Sequence, residues 1–95
     1  MKIKFSPQKA EFQTTASIKN NILEYNNESI NLSDIPNGAT ATDEIGRFTI
    51  EKDIDGNIEI SLLWQYTEST KENSFPKDLE IEEGEIYPKE SNNEA

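Results

Sequence analysis

The sequence predicts an all-β protein, a small antiparallel β-sandwich or partly open barrel of six or seven short strands. Three observations predict it. Apolar residues recur with a period of two in several segments, the spacing of strands with one inward face. Turn residues punctuate the chain every ~8–12 residues, as in sandwiches and barrels. No segment carries a helical apolar period longer than a single turn. The chain is 95 residues long, which makes residues 1–88 one domain at most, with 89–95 expected to fray as a tail.

Met1, Ile3 and Phe5 alternate with Lys2 and Lys4, a short strand that Ser6-Pro7 is expected to interrupt. A second alternation places Phe12, Thr14, Ala16 and Ile18 on one face, and these two segments form a candidate hairpin. Asn26-Asn27 then separates Ile22-Leu23-Glu24-Tyr25 from Glu28-Ser29-Ile30. Asn tolerates the positive φ that two-residue turns require. Such a turn sets Leu23 opposite Ile30 and Tyr25 opposite Glu28, and a one-residue slip would spoil the inner face. Pro36-Asn37-Gly38 breaks the sheet, and Ser33-Asp34-Ile35 suits a single 3₁₀ turn. Ala39 to Glu44 has no clean period, and a short turn is expected to run through Gly46.

Residues 47–66 form the second strong hairpin. A three-residue loop, Ile54-Asp55-Gly56, sets Ile50 opposite Ile60, Phe48 opposite Leu62 and Lys52 opposite Ile58. Gly46 then lies across from Trp64, where the missing side chain is expected to leave room for the indole. Residues 67–74 read as a polar surface loop anchored by Phe75-Pro76. Leu79 and Ile81 alternate with Glu80 and Glu82 as a short edge strand, and Ile86-Tyr87 adds a last one. The expected core is Ile3, Phe5, Phe12, Ile18, Leu23, Tyr25 and Ile30, with Leu32, Phe48, Ile50, Ile60, Leu62, Trp64 and Ile81.

Composition narrows the chemistry. With no Cys there is no disulfide, thiolate nucleophile or Cys-ligated metal. With no His there is no imidazole acid–base catalysis and no Ser-His-Asp triad. No cofactor or metal is expected, and the chain is expected not to be an enzyme. Asp53-Ile54-Asp55-Gly56-Asn57 has oxygen ligands like those of a calcium loop, but its Gly comes one residue early and the twelfth-position acid is missing. A hairpin turn explains it better. A hydrolase would need two carboxylates fixed in a cleft, which nothing in the sequence fixes.

The net charge is −10, and it is uneven. Residues 1–42 carry four acids and four bases; residues 43–95 carry fifteen acids and five bases. Such a surface repels phosphate, so nucleic acid and anionic membranes are not expected partners. A basic protein is permitted, and solubility alone also accounts for the charge. On a strand, Asp78, Glu80 and Glu82 would share one face, either solvated or offered to a basic partner. Tyr66 and Phe75 flank the polar loop; they either cap the sandwich or anchor an interface. Together these five residues are the candidate interface. The start lacks the apolar run of a signal peptide, and the longest apolar run, Leu62-Leu63-Trp64, is far short of a membrane span.

The opening Met1-Lys2-Ile3-Lys4-Phe5-Ser6-Pro7-Gln8 resembles the start of a group of small uncharacterised proteins of tailed phages and prophages. The hairpin ending near Leu32, Pro36-Asn37-Gly38-Ala39-Thr40, the Asp55-Gly56 hairpin leading to Leu62-Leu63, Phe75-Pro76 and Glu83-Gly84 follow in the same order. After Leu63 the chain departs from the group, with polar residues in place of an apolar, Pro-rich stretch. Members of the group lie among genes for tail parts and carry no assigned functional residues. The resemblance implies a phage or prophage accessory or structural protein acting through protein contacts. Its partner would be a tail component; the charge permits a basic host protein, and a sheet with a wet edge could pair with a second copy as a homodimer. Its place would be the host cytoplasm or the virion. The alternative is an acidic inhibitor or nucleic-acid mimic that blocks a host defence or DNA-binding protein, which needs acids in rows spaced like phosphates.

Overall fold

The computed structural model describes residues 1–70 and 76–87. Its strands are β1 (Lys2–Lys9), β2 (Ala16–Lys19), β3 (Ile22–Tyr25), β4 (Glu28–Asn31), β5 (Thr40–Thr42), β6 (Phe48–Lys52), β7 (Ile58–Tyr66), β8 (Leu79–Glu80) and β9 (Gly84–Ile86). A 3₁₀ turn, Leu32–Asp34, follows β4. One sheet has the order β5-β6-β7-β1-β8 and the other β4-β3-β2-β9. They pack as an open sandwich around a shared core. The all-β class is as the sequence predicts, with nine strands among the described residues rather than six or seven.

The two hairpins fold in the expected registers. Asn26 and Asn27 take φ of 48° and 70°, and β3 returns as β4 with Leu23 opposite Ile30 and Tyr25 opposite Glu28. Asn20 and Asn21 repeat the device, with φ of 52° and 62°, and join β2 to β3. The apolar pattern alone does not separate this second Asn-Asn turn from the strands it joins. In the other sheet, Ile50 faces Ile60, Phe48 faces Leu62 and Lys52 faces Ile58. Asp53 seals that turn, its Oδ1 accepting from the Asp55 and Asn57 N–H groups at 2.9 and 2.8 Å, while Gly56 supplies φ of 88°. At Gly46 the expected reason is corrected. A Cβ there would meet nothing within 4 Å, so glycine serves the φ of 76° rather than making room for Trp64.

β1 overturns the expected first hairpin. It runs parallel to β7 along its whole length, from Lys2 opposite Glu59 to Lys9 opposite Tyr66, and pairs antiparallel with β8 at Lys2 and Ile3. The pairing is therefore mixed rather than purely antiparallel. Pro7 does not interrupt the strand. The Ile81 N–H donates to the Met1 carbonyl, so odd-numbered residues of β1 turn their backbone groups toward β8. The N–H that Pro7 lacks thus falls on the side away from β7 and costs that ladder nothing. Side chains explain the choice of partner. Ala41, Ile50, Ile60, Ile3 and Leu79 form one apolar row across all five strands, and Phe48, Leu62 and Phe5 form the next.

Between β1 and β2 the chain crosses to the other sheet. Thr14 makes the crossing tight. β6 begins at Phe48, opposite Leu62, so β7 outruns it and exposes the Gln65 backbone. The Thr14 N–H donates to the Gln65 carbonyl and the Thr14 Oγ1 accepts from the Gln65 N–H, both at 2.8 Å. This bonding satisfies a polar side chain buried in the core. Phe12 lies on the same crossing and is 54% exposed, so it is not the core residue its alternation suggests. Ile35, Tyr66, Leu79 and Ile86 are buried in addition to the expected set, and Phe5, Ile30 and Ile81 are only partly covered. Leu32 and Ile35 turn inward together from the 3₁₀ turn, where Lys52 Nζ donates to the Ile35 carbonyl at 3.0 Å.

Candidate functional site

The registers that bury the apolar rows also bring acids together. On the outward face, cross-strand partners run Thr40, Glu51, Glu59, Lys2, Glu80 from β5 to β8. Glu51 stands directly opposite Glu59, a like-charge pairing that costs stability. Lys4 Nζ lies 3.5 Å from Glu59, and Lys2 Nζ lies 3.5 Å from Asp78. The Met1 amine sits 2.6 Å from Glu82 and donates to the Ile81 carbonyl at 2.9 Å. Glu51, Glu59, Glu80 and Glu82 border a cleft of about 1090 Å³ at the Ile58 end of β7, whose lining also includes Lys52, Ile54 and Ile58. Ile54, at the hairpin tip, is 81% exposed.

Of the candidate interface residues, Asp78, Glu80 and Glu82 gather beside the start of β1, although β8 spans only Leu79–Glu80 and Glu82 lies beyond it. Tyr66 is buried; even-numbered positions of β7 face inward, so it continues the series Ile60, Leu62, Trp64 and is not a surface anchor. Phe75 lies outside the described residues. Glu51 and Glu59 were missed as site residues. The register that opposes Ile50 to Ile60 also opposes these two, so the signal was present in the hairpin arithmetic. The Asp53 segment is a hairpin turn as expected, with the Asp53 carboxylate engaged by Asp55 and Asn57. Among the described residues, no group of three or more acids is placed to hold a metal ion.

No family model, curated protein or solved structure matches this chain.

The other charged cluster joins the two sheets. Arg47 Nε donates to Asp43 at 2.5 Å and Arg47 Nη2 donates to Glu28 of β4 at 2.6 Å. The guanidinium lies 5.7 Å from the centre of the Tyr25 ring, and the Tyr25 hydroxyl donates to the Leu63 carbonyl at 2.7 Å. Burial pushes the Tyr25 phenol up, and hydrogen bonds from Arg47 hold the Asp43 carboxyl below its ordinary 3.8. With its charges mutually paired, the cluster acts as a buckle.

Its pH behaviour has a definite sign. A carboxyl with a lowered native pKa contributes stability that is complete above the ordinary value and lost as pH falls through the native one. Asp53, lowered by hydrogen bonds from Asn57, contributes in the same sense. Arg47→Met is expected to lower the urea midpoint near neutrality, with the deficit narrowing below about pH 4 as Asp43 protonates in both proteins. A deficit unchanged down to about pH 2 would show that Asp43 is not the linked group.

A smaller cleft, of about 510 Å³, opens near the Trp64 end of β7 beside Ser17, Asn27 and Tyr87.

Proposed function

We propose that the protein is a non-enzymatic phage or prophage accessory or structural protein, and that it acts through protein–protein contacts made by the acidic cleft. One observation carries the choice of surface. Glu51 and Glu59 are held directly opposite one another at the mouth of a cleft that Glu80 and Glu82 also line. A basic partner would relieve that repulsion and gain from steering by the surrounding charge. The exposed Ile54 beside the acids adds an apolar contact of the kind found at interface centres. The phage assignment is supported by the shared order of sequence segments, from the opening Met1 to Gln8 onward. The nucleic-acid mimic has less support. Lys2 stands within the acidic row and Lys4 reaches Glu59, so the negative charge does not run unbroken as along a phosphate backbone.

The test is binding of the purified protein to the purified products of its neighbouring genes, tail proteins on this reading, at low and high salt. The reading predicts that one of them binds, that salt weakens the complex, and that Glu51→Gln/Glu59→Gln weakens it at low salt while stabilising the free fold. Binding by none of them, or equal binding by the double variant, would overturn it. Displacement of the protein from a DNA-binding partner by duplex DNA would favour the mimic instead.

A further inference from the structure

We infer that Asn37 is a deamidation site whose chemistry the β6–β7 hairpin holds in check. Asn37-Gly38 is the one Asn-Gly pair in the chain. At such a pair the backbone nitrogen of the glycine attacks the Asn side-chain carbonyl carbon. The new C–N bond closes a succinimide, and the side-chain nitrogen leaves as ammonia with the proton that the glycine nitrogen gives up. Water then opens the ring to aspartate or isoaspartate, so the net change is loss of ammonia and gain of water. Glycine favours the step because no side chain obstructs the approach and the backbone can turn freely.

The fold opposes each requirement of that attack. The Gly38 N–H donates to the Lys52 carbonyl at 2.7 Å and to the Asp53 carbonyl at 3.0 Å. The nitrogen is thereby held against the end of β6. The other partner is held as well. Asn37 Nδ2 donates to the Ile54 carbonyl at 3.4 Å, and the Asn37 side chain lies 3.5 Å from where a Cβ on Gly56 would stand. Both anchors belong to the turn that Asp53 seals. Deamidation therefore needs that turn to open, and its rate reports local opening rather than the intrinsic reactivity of the pair. The product adds a negative charge next to Gly38, Asp53 and Ile54, which line the acidic cleft, so aged protein would carry an altered site. The inference stands on these hydrogen bonds and is independent of the proposed partner.

The experiment is peptide mapping by mass spectrometry of protein aged at mildly alkaline pH, folded and in urea. In urea, Asn37 is expected to be the first Asn converted. In the folded protein its conversion is expected to be slower by about tenfold or more, as an open population below about 10% gives. Asp53→Ala, which removes the carboxylate that seals the turn, is expected to fall between the two while circular dichroism confirms a folded chain. Equal rates in folded and unfolded protein would overturn the inference. So would a different Asn reacting first in urea, or a folded Asp53→Ala variant that ages no faster than the parent.

Discussion

Leu62→Ala is expected to destabilise the protein by about 2–5 kcal/mol, the range for removing a buried leucine and leaving a partly unfilled cavity. Leu62 is 1% exposed and is the middle of a three-strand row, with Phe48 on β6 at one side and Phe5 on β1 at the other. Both neighbours are large rings fixed by their own contacts. Phe5 meets Trp64 edge-on at 5.5 Å, and Phe48 meets Tyr25 at 5.4 Å. A domain of this size has a total stability of about 5–15 kcal/mol, so the variant is expected to sit near its unfolding threshold at physiological temperature. Urea unfolding followed by Trp64 fluorescence gives the value. A loss below about 1 kcal/mol would mean that Leu62 does not sit in a close-packed interior.

Tyr25→Ala is the second large effect, about 3–5 kcal/mol by analogy with other buried aromatic truncations. Tyr25 is fully buried in the sheet containing β3, yet its ring packs on Phe48 and its hydroxyl reaches Leu63, both in the other sheet. Its loss removes contact between the two layers rather than within one. Tyr25→Phe separates the two contributions. It keeps the ring and leaves the Leu63 carbonyl without this donor, at a cost of about 1–3 kcal/mol. Chemical denaturation of the two variants side by side is the measurement. Equal losses for both would assign the whole effect to the hydroxyl, contrary to the packing seen here.

Local rules made both central hairpins legible in the sequence. Asn26-Asn27 and Ile54-Asp55-Gly56 each combine a demanding turn with an apolar alternation that tolerates one register. The position of β1 was not legible. Its pairing with β7 joins residues more than fifty positions apart, and a period of two does not distinguish a parallel neighbour from an antiparallel one. Pro7 reads as a strand end until the edge that its missing N–H faces is known. Phe12 misled for a related reason: alternation continues through a crossing that is not a strand. The polar loop beside Tyr66 left capping and interface roles both open in the sequence, and the inward series of β7 extends to it. At the candidate site, the Glu51–Glu59 pair follows from one hairpin. The approach of Lys2, Lys4, Asp78 and Glu80 requires β1 and β8 to be placed first.

The parallel pairing of β1 with β7 organises both the core and the acidic cleft, and a cysteine cross-link tests it directly. The chain has no cysteine of its own, so an engineered pair reports without background. Lys4 and Ser61 are register partners on the outward face. Neighbouring strands stand about 4.8 Å apart, within the Cα separations that a disulfide spans. Oxidised Lys4→Cys/Ser61→Cys is predicted to form an intramolecular disulfide quantitatively while the protein stays folded. Failure to close that bond in the folded protein would contradict the account.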